Sequence, residues 1–142
     1  MPYVLDTDHV TLIQKHGPNT AALVRRVRSI PPDDIATTII SFQEQTQGWL
    51  AALHRGQSAT EILKHYARLD AVRVDFQRMN VLAFTADAQR VFESLRPQCR
   101  RVGTLDLRIA SIALATDSIL LTRNATDFRQ VPGLRFEDWT KP

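Results

Sequence analysis

Residues 1–10 read MPYVLDTDHV. A short apolar run, Tyr3-Val4-Leu5, stops on two carboxylates, Asp6 and Asp8, and an apolar stretch resumes after them. A short apolar run suits a buried strand, while Asp favours turns and helix starts over the interior of either element. The stretch reads as strand, acidic turn, helix. Its acids admit two roles, a helix cap or a ligand for a cation, and the rest of the chain has to choose.

The same order recurs downstream. Short apolar runs at Tyr3–Leu5, Ile35–Ile40, Val81–Phe84, Ile119–Thr122 and Leu134–Phe136 predict strands. Between them, Ala88, Val91, Phe92 and Leu95 recur at helical spacing, as do Leu105, Ile109, Ile112 and Ala113. Trp49, Leu50 and Leu53 continue a helix that starts near Ser41, and Ser58–Met79 reads as one long helix or two shorter ones. Gly17-Pro18, Pro31-Pro32 and Pro132-Gly133 separate elements. Short apolar strands alternating with helices indicate an α/β fold with a mostly parallel sheet. Such sheets bind ligands beyond the carboxyl ends of their strands, so the residues following each strand are the ones to inspect.

Bulk composition narrows the class. The 142 residues fit one domain, 1–142, with a real core, and neither repeats nor linkers interrupt it. Hydrophobic residues make up 44% and charged residues 23%, which argues against disorder. No run is long enough to span a bilayer, and the N-terminus lacks the basic and apolar regions of a secretory signal. Cys99 is the only cysteine, which excludes an internal disulfide and fits the reducing cytoplasm. The net charge is +3 and the pI about 9.5, with arginines clustered at Arg25, Arg26 and Arg28 and again at Arg96, Arg100 and Arg101. Arginine forks suit phosphate oxygens, although solvated helix faces explain so mild a bias equally well.

Acids follow the strands. Asp6 and Asp8 come after the first, Glu44 in SFQE after the second, Asp106 in GTLD before a helix Leu107–Ala115, and Asp127 in RNATD after the fourth. Ordinary capping accounts for most of them. Ser41 to Glu44 is a capping-box pattern, Thr104 is placed to cap a helix with Asp106 at N2, Asn124 and Asp127 repeat the layout, and Asp8 is placed to cap the first helix. Asp6 follows its strand too directly for a cap and should point into the rim. Capping and metal binding are compatible, because a carboxylate on a first helical turn is held rigidly. Several such carboxylates around one point suit Mg²⁺ or Mn²⁺, which prefer oxygen ligands and retain waters. His9, His16, His54 and His65 lack ligand spacing, and no glycine-rich phosphate loop or Ser–His–Asp layout is found.

VLDTDHV, SFQEQTQG, GTLDLRIASIAL and LLTRNATDFRQVPGLRFEDW resemble, in order and spacing, the four motifs of PIN-domain proteins, most closely the VapC-type toxins of bacterial toxin–antitoxin pairs. The resemblance covers essentially the whole chain. It implies a three-layer α/β/α fold around a mainly parallel sheet and a Mg²⁺- or Mn²⁺-dependent ribonuclease. By position the family's acids fall on Asp6, Glu44 and Asp106, with the fourth at Asn124 or at Asp127. Gln45 departs from the family's usual apolar residue, and Asp8 stands where asparagine is frequent.

On this reading Asp6 and Asp106 hold the principal ion, and Glu44 and Asp127 complete the cluster or orient waters. Thr7, Asp8 and Asn124 fix those carboxylates in place. Arg25, Arg26, Arg28, Arg108 and Arg123 are the candidates for flanking RNA phosphates. The resemblance further implies a cognate antitoxin protein and a homodimer. Two other readings stay open on the sequence. LDTDHV also fits the D-x-D-x-[TV] opening of haloacid-dehalogenase-type phosphatases, though the later lysine and paired acids of that family are not found. A non-catalytic PIN-like binding module is the other, though it would be expected to have lost one or more of the acids present here.

Overall fold

The computed structural model describes residues 2–15, 17–55 and 57–141. Among these residues five strands form: β1 (Tyr3–Leu5), β2 (Ile35–Thr38), β3 (Val81–Leu82), β4 (Ile119–Leu121) and β5 (Phe136–Glu137). They make one sheet in the order β3-β2-β1-β4-β5, and every adjacent pair is parallel. The register sets Val4 against Leu120 and Leu5 against Leu121. Successive residues of a strand face opposite sides of a sheet, so these two pairs feed two separate cores.

Among the described residues seven α-helices cover the sheet: α1 (Thr7–Lys15), α2 (Ala21–Arg28), α3 (Ile39–Leu53), α4 (Ala59–Arg78), α5 (Ala86–Leu95), α6 (Thr104–Ala115) and α7 (Ala125–Phe128). Val4 and Leu120 pack with Leu95, Leu107, Ile109, Ile112 and Phe128 of α5, α6 and α7. Leu5 and Leu121 pack with Val10, Leu23, Val72 and Phe76 of α1, α2 and α4, and with Trp139. The result is the expected three-layer α/β/α arrangement. Helix α6 contributes six buried residues, Leu107 and Ile109 through Ala113, which is why GTLDLRIASIAL looks nearly apolar throughout.

The chain winds outward from β1 through β2 to β3, then returns to build β4 and β5 on the other side. The strand order therefore reverses beside β1. At that point the backbone N–H of Asp6 donates to the Leu121 carbonyl at 3.0 Å, which joins the carboxyl ends of β1 and β4. A crevice at such a reversal is where this fold class binds ligands.

Element boundaries differ from expectation in informative ways. The second strand stops at Thr38, and α3 starts at Ile39, so Ser41 is not a cap. Thr38 caps instead, its hydroxyl accepting the Ser41 N–H at 3.2 Å. Starting the helix early also buries Ile40 in the core containing Val4. Ser58–Met79 resolves into one 20-residue helix, α4, capped by Ser58. The last strand lies at Phe136–Glu137 rather than Leu134–Phe136, because it is Phe136 and Glu137 that pair with β4. Leu134 packs beside the core behind the turn at Gly133, whose φ of 77° suits glycine.

Candidate active site

Asp6 follows β1 directly and occupies the N-cap position of α1. Its Oδ1 accepts the backbone N–H of His9 at 2.8 Å, and His9 Nδ1 lies 3.2 Å from the same oxygen. The expectation that Asp6 is not a cap and that Asp8 is one is thereby corrected. The reason is geometric: the strand turns into the helix at once, so the first residue past the strand is the one beneath the free N–H groups. Asp6 is 7% exposed and His9 fully buried. With its proton on Nδ1, the ring donates to Asp6 and holds the carboxylate by one oxygen.

Glu44 sits in the second turn of α3, beyond the capping position, so its capping-box role is lost with the earlier helix start. The Thr7 hydroxyl donates to Glu44 Oε1 at 2.7 Å, and Ser41 Oγ lies 3.0 Å from the same hydroxyl. This bond ties the starts of α1 and α3 together beside β1. Asp106 lies in the first turn of α6, whose N-cap is Gly103 rather than the expected Thr104. No side chain caps that end of the helix, which favours an acid there on dipole grounds. Asn124 caps α7 as expected: its Nδ2 donates to Asp127 Oδ2 at 2.9 Å, and its Oδ1 accepts the Asp127 N–H at 3.4 Å.

Asp106 feels its own burial and three other acids. Burial pushes the Asp106 carboxyl up from its usual 3.8 to about 6, and the charges of Glu44, Asp6 and Asp127 push it the same way. Among the described residues, however, no three acidic, histidine or cysteine side chains close on one point as a finished metal cage would require. Repulsion at Asp106 without a closed cage is compatible with an open set of oxygen donors. Magnesium is commonly bound this way, through one or two carboxylates with waters and substrate phosphates filling the rest. The donor set thus fits a Mg²⁺-like ion and not zinc, whose sites favour histidine and thiolate.

The remaining predicted residues divide. Thr7 and Asn124 hold Glu44 and Asp127 as described. Asp8 instead pairs with Arg123 at 2.7 Å, so each occupies the other at the rim. Arg26 lies over the Trp139 ring at 4.4 Å, and Arg108 over Phe92 at 5.4 Å. Arg25 and Arg28 are exposed on the last turn of α2. His16 lies outside the described residues. Sequence reasoning passed over His9, whose signal is its position three residues after Asp6, on the first turn of the helix that Asp6 caps.

An all-parallel α/β/α sheet whose strand order reverses beside β1, with Asp6 and Asp127 following the adjacent strands β1 and β4, places the chain among nucleotide- and phosphate-handling α/β folds. The PIN-domain family model matches residues 3–134, and the chain belongs to that family. It is 28% identical over 146 residues to Ribonuclease VapC1 of Haemophilus influenzae strain R2866, covering 99% of this chain and 100% of that protein. Ribonuclease VapC2 of Rickettsia felis is 29% identical over 96 residues, covering 65% of this chain and 70% of that one. Among solved structures, VapBC-1 from nontypeable Haemophilus influenzae aligns with a TM-score of 0.77 at 27% identity, covering 99% of this chain and 100% of that one. VapBC2 from Rickettsia felis, bound to a promoter DNA fragment, aligns with a TM-score of 0.74 at 25% identity, over 98% and 99% of the two chains.

Proposed function

We infer that this chain is a divalent-metal-dependent ribonuclease and the toxin of a toxin–antitoxin pair. What supports the chemistry is the Asp106 carboxyl, pushed up to about 6 by its burial and, after that, by the charges of Glu44, Asp6 and Asp127. A cation relieves that repulsion. Divalent-metal dependence is general among nucleases of this family, and Mg²⁺ or Mn²⁺ is the ion proposed here. Asp6 and Asp106 would hold it, with Glu44 and Asp127 completing the set. The chemistry such an ion supplies when bound is acidification of a water and neutralisation of charge building on the phosphodiester.

The chain's own residues prepare the site. His9 secures Asp6 through Oδ1, which leaves the second carboxylate oxygen available. Thr7 engages one oxygen of Glu44, and Asn124 one oxygen of Asp127. Each acid keeps one face free while its rotamer is fixed, and preorganisation of this kind avoids reorganisation during reaction. The family match and the presence of the acids leave the phosphatase and binding-module readings without support.

Partners follow from the relatives, whose structures are VapBC complexes. We propose an RNA substrate, a cognate antitoxin and a homodimer. Leu63 and Tyr66 are 71% and 58% exposed on α4, and such apolar exposure offers a protein partner something to cover. No helix among the described residues is long and apolar enough to cross a membrane. We place the protein with its substrate in the cytoplasm.

The test is cleavage of structured RNA by purified protein with Mg²⁺ or Mn²⁺, beside a generic phosphatase substrate. Cleavage should vanish with EDTA and return when metal is restored. Asp6→Asn and Asp106→Asn should each abolish it while melting cooperatively. Metal-independent cleavage, once contaminating nuclease is excluded, would overturn the assignment.

A further inference from the structure

The connection between α5 and α6 holds a cavity of about 620 Å³. Arg96, Arg100 and Arg101 line it, together with Pro97 and the stretch from Val102 to Thr104. Residues 94–105 contain no acid. The Val102 N–H donates to the Cys99 carbonyl at 3.1 Å, which closes a four-residue turn with Arg100 and Arg101 at its two central positions. Both ends of the turn are anchored. Cys99 and Val102 are buried, and Cys99 Sγ donates to the Gln130 carbonyl at 3.4 Å. Arg96 Nη2 donates to the carbonyls of Cys99 and Val102 and so braces the turn at both ends. With its ends held inward, the turn leaves Arg100 and Arg101 exposed.

Their charge has no counterpart within the fold. Neither Arg100 nor Arg101 forms an ion pair among the described residues, whereas Arg26, Arg73, Arg90, Arg123 and Arg135 all do. Turn centres favour Gly, Pro, Asn, Asp and Ser for the conformations they supply. Arginine supplies none of these, and two adjacent guanidinium groups repel. More positive charge lies alongside. Arg96 and Arg108 both approach the Phe92 ring, at 6.0 and 5.4 Å from its centroid. Of the flanking acids on α5, Asp87 is paired with Arg90 and Glu93 accepts the Gln89 amide.

An anion relieves that repulsion, and paired guanidinium forks match the oxygens of a phosphate. The place of the cavity narrows the choice of anion. Its lining ends at Thr104, two residues before Asp106 on α6, or about 3 Å along the helix axis. An acidic peptide running from the turn to the rim would meet Asp106 and the acids near it. An RNA strand on the same path presents its next phosphate to the cation those acids would hold. Contacts of this kind position a strand without reading its bases.

We propose that Arg100 and Arg101, on the turn braced by Arg96, hold an RNA phosphate flanking the scissile one on the α5–α6 side of the rim. The proposal rests on the ribonuclease reading above and adds a phosphate subsite to that same site.

The experiment measures binding of a labelled single-stranded RNA to the uncleaving Asp106→Asn protein in Mg²⁺, across a range of salt. It also measures KM and kcat on the same RNA in protein that keeps Asp106. Arg100→Ala and Arg101→Ala should each lower the slope of log affinity against log salt by about 0.7, and the double variant by about 1.4. The double variant should raise KM severalfold and leave kcat near its starting value. Lysine at both positions should keep the slope, because it keeps the charge. Arg73→Ala, on α4 and paired with Asp70, is the control. Both turn arginines are exposed, so every variant should melt as the unsubstituted protein does.

An unchanged salt slope and KM in the double alanine variant would overturn the subsite while leaving the ribonuclease standing. So would a loss of kcat at unchanged KM. A double variant that cuts RNA normally but no longer binds the antitoxin would also overturn it, because the turn would then serve a protein contact. Failure of the unsubstituted protein to bind or cut any RNA with Mg²⁺ or Mn²⁺ would remove the ribonuclease reading, and this one with it.

Discussion

Asp6 Oδ1 accepts the backbone N–H of His9 and lies 3.2 Å from its ring Nδ1, so a single side chain caps a helix and keeps its other oxygen clear of that cap. Asp106 shows the cost of burying a carboxylate and setting others near it. In the unfolded chain its carboxyl titrates near 3.8, and in the metal-free fold near 6. Between those values the folded protein binds more protons, so this group's contribution to stability falls as pH rises through that window. Asp106→Asn removes that loss. In EDTA, wild type and variant should melt alike below about pH 4, where the carboxyl is neutral in both states. Above pH 6 the variant should be more stable by about 1 kcal/mol, a figure already reduced for the group's partial exposure, or roughly 3 °C. Melting curves across that range check it. A variant no more stable at pH 7 would mean that burial and the neighbouring acids do not penalise the Asp106 charge in the free protein.

At the scale of elements, the start of α3 decides where Glu44 points. Had the helix begun at Ser41, Glu44 would fall on its first turn and turn back to cap. With Thr38 as cap, Glu44 lies a turn deeper and takes the Thr7 hydroxyl instead. Thr38 is fully buried, and its hydroxyl accepts the Ser41 N–H. Thr38→Val keeps the shape of the side chain and removes the acceptor. Loss of the cap should cost about 1–2 kcal/mol, since the orphaned N–H is also buried. Denaturant melts of the metal-free protein give the number. A change below about 0.3 kcal/mol would show that water replaces the hydroxyl.

Across the whole molecule, the sheet separates two cores that share no strand side chain. Leu5 serves the face with α1, α2 and α4, and Leu120 the face with α5, α6 and α7. Leu5→Ala and Leu120→Ala should each cost about 2–5 kcal/mol, a large fraction of the roughly 5–15 kcal/mol typical of a domain. Because the two sites sit in different cores, the double variant should lose nearly the sum of the two. Equilibrium unfolding of the single and double variants measures this. A mild effect at either site would contradict a sheet covered on both faces.

Features that depend on neighbours along the chain are legible in the residues alone. Apolar runs and helical spacing marked all five strands within two residues and most of the helices. Acids at strand ends and helix starts marked Asp6, Glu44, Asp106 and Asp127 as the residues to watch. Periodicity and turn preference are short-range properties, so one chain suffices to read them. Only the tertiary structure decided what depends on partners distant in sequence. Thr38 and Ser41 are both competent caps, and the burial of Ile40 beside Val4 accompanies the choice of Thr38. Asp6 and Asp127 share a rim because strand order sets β1 beside β4. Arg28, Arg55, Arg68 and Arg78 come from three separate stretches of chain, and they line one groove only through the packing of the elements that carry them. No local pattern carries that information, since it arises from which apolar faces bury one another.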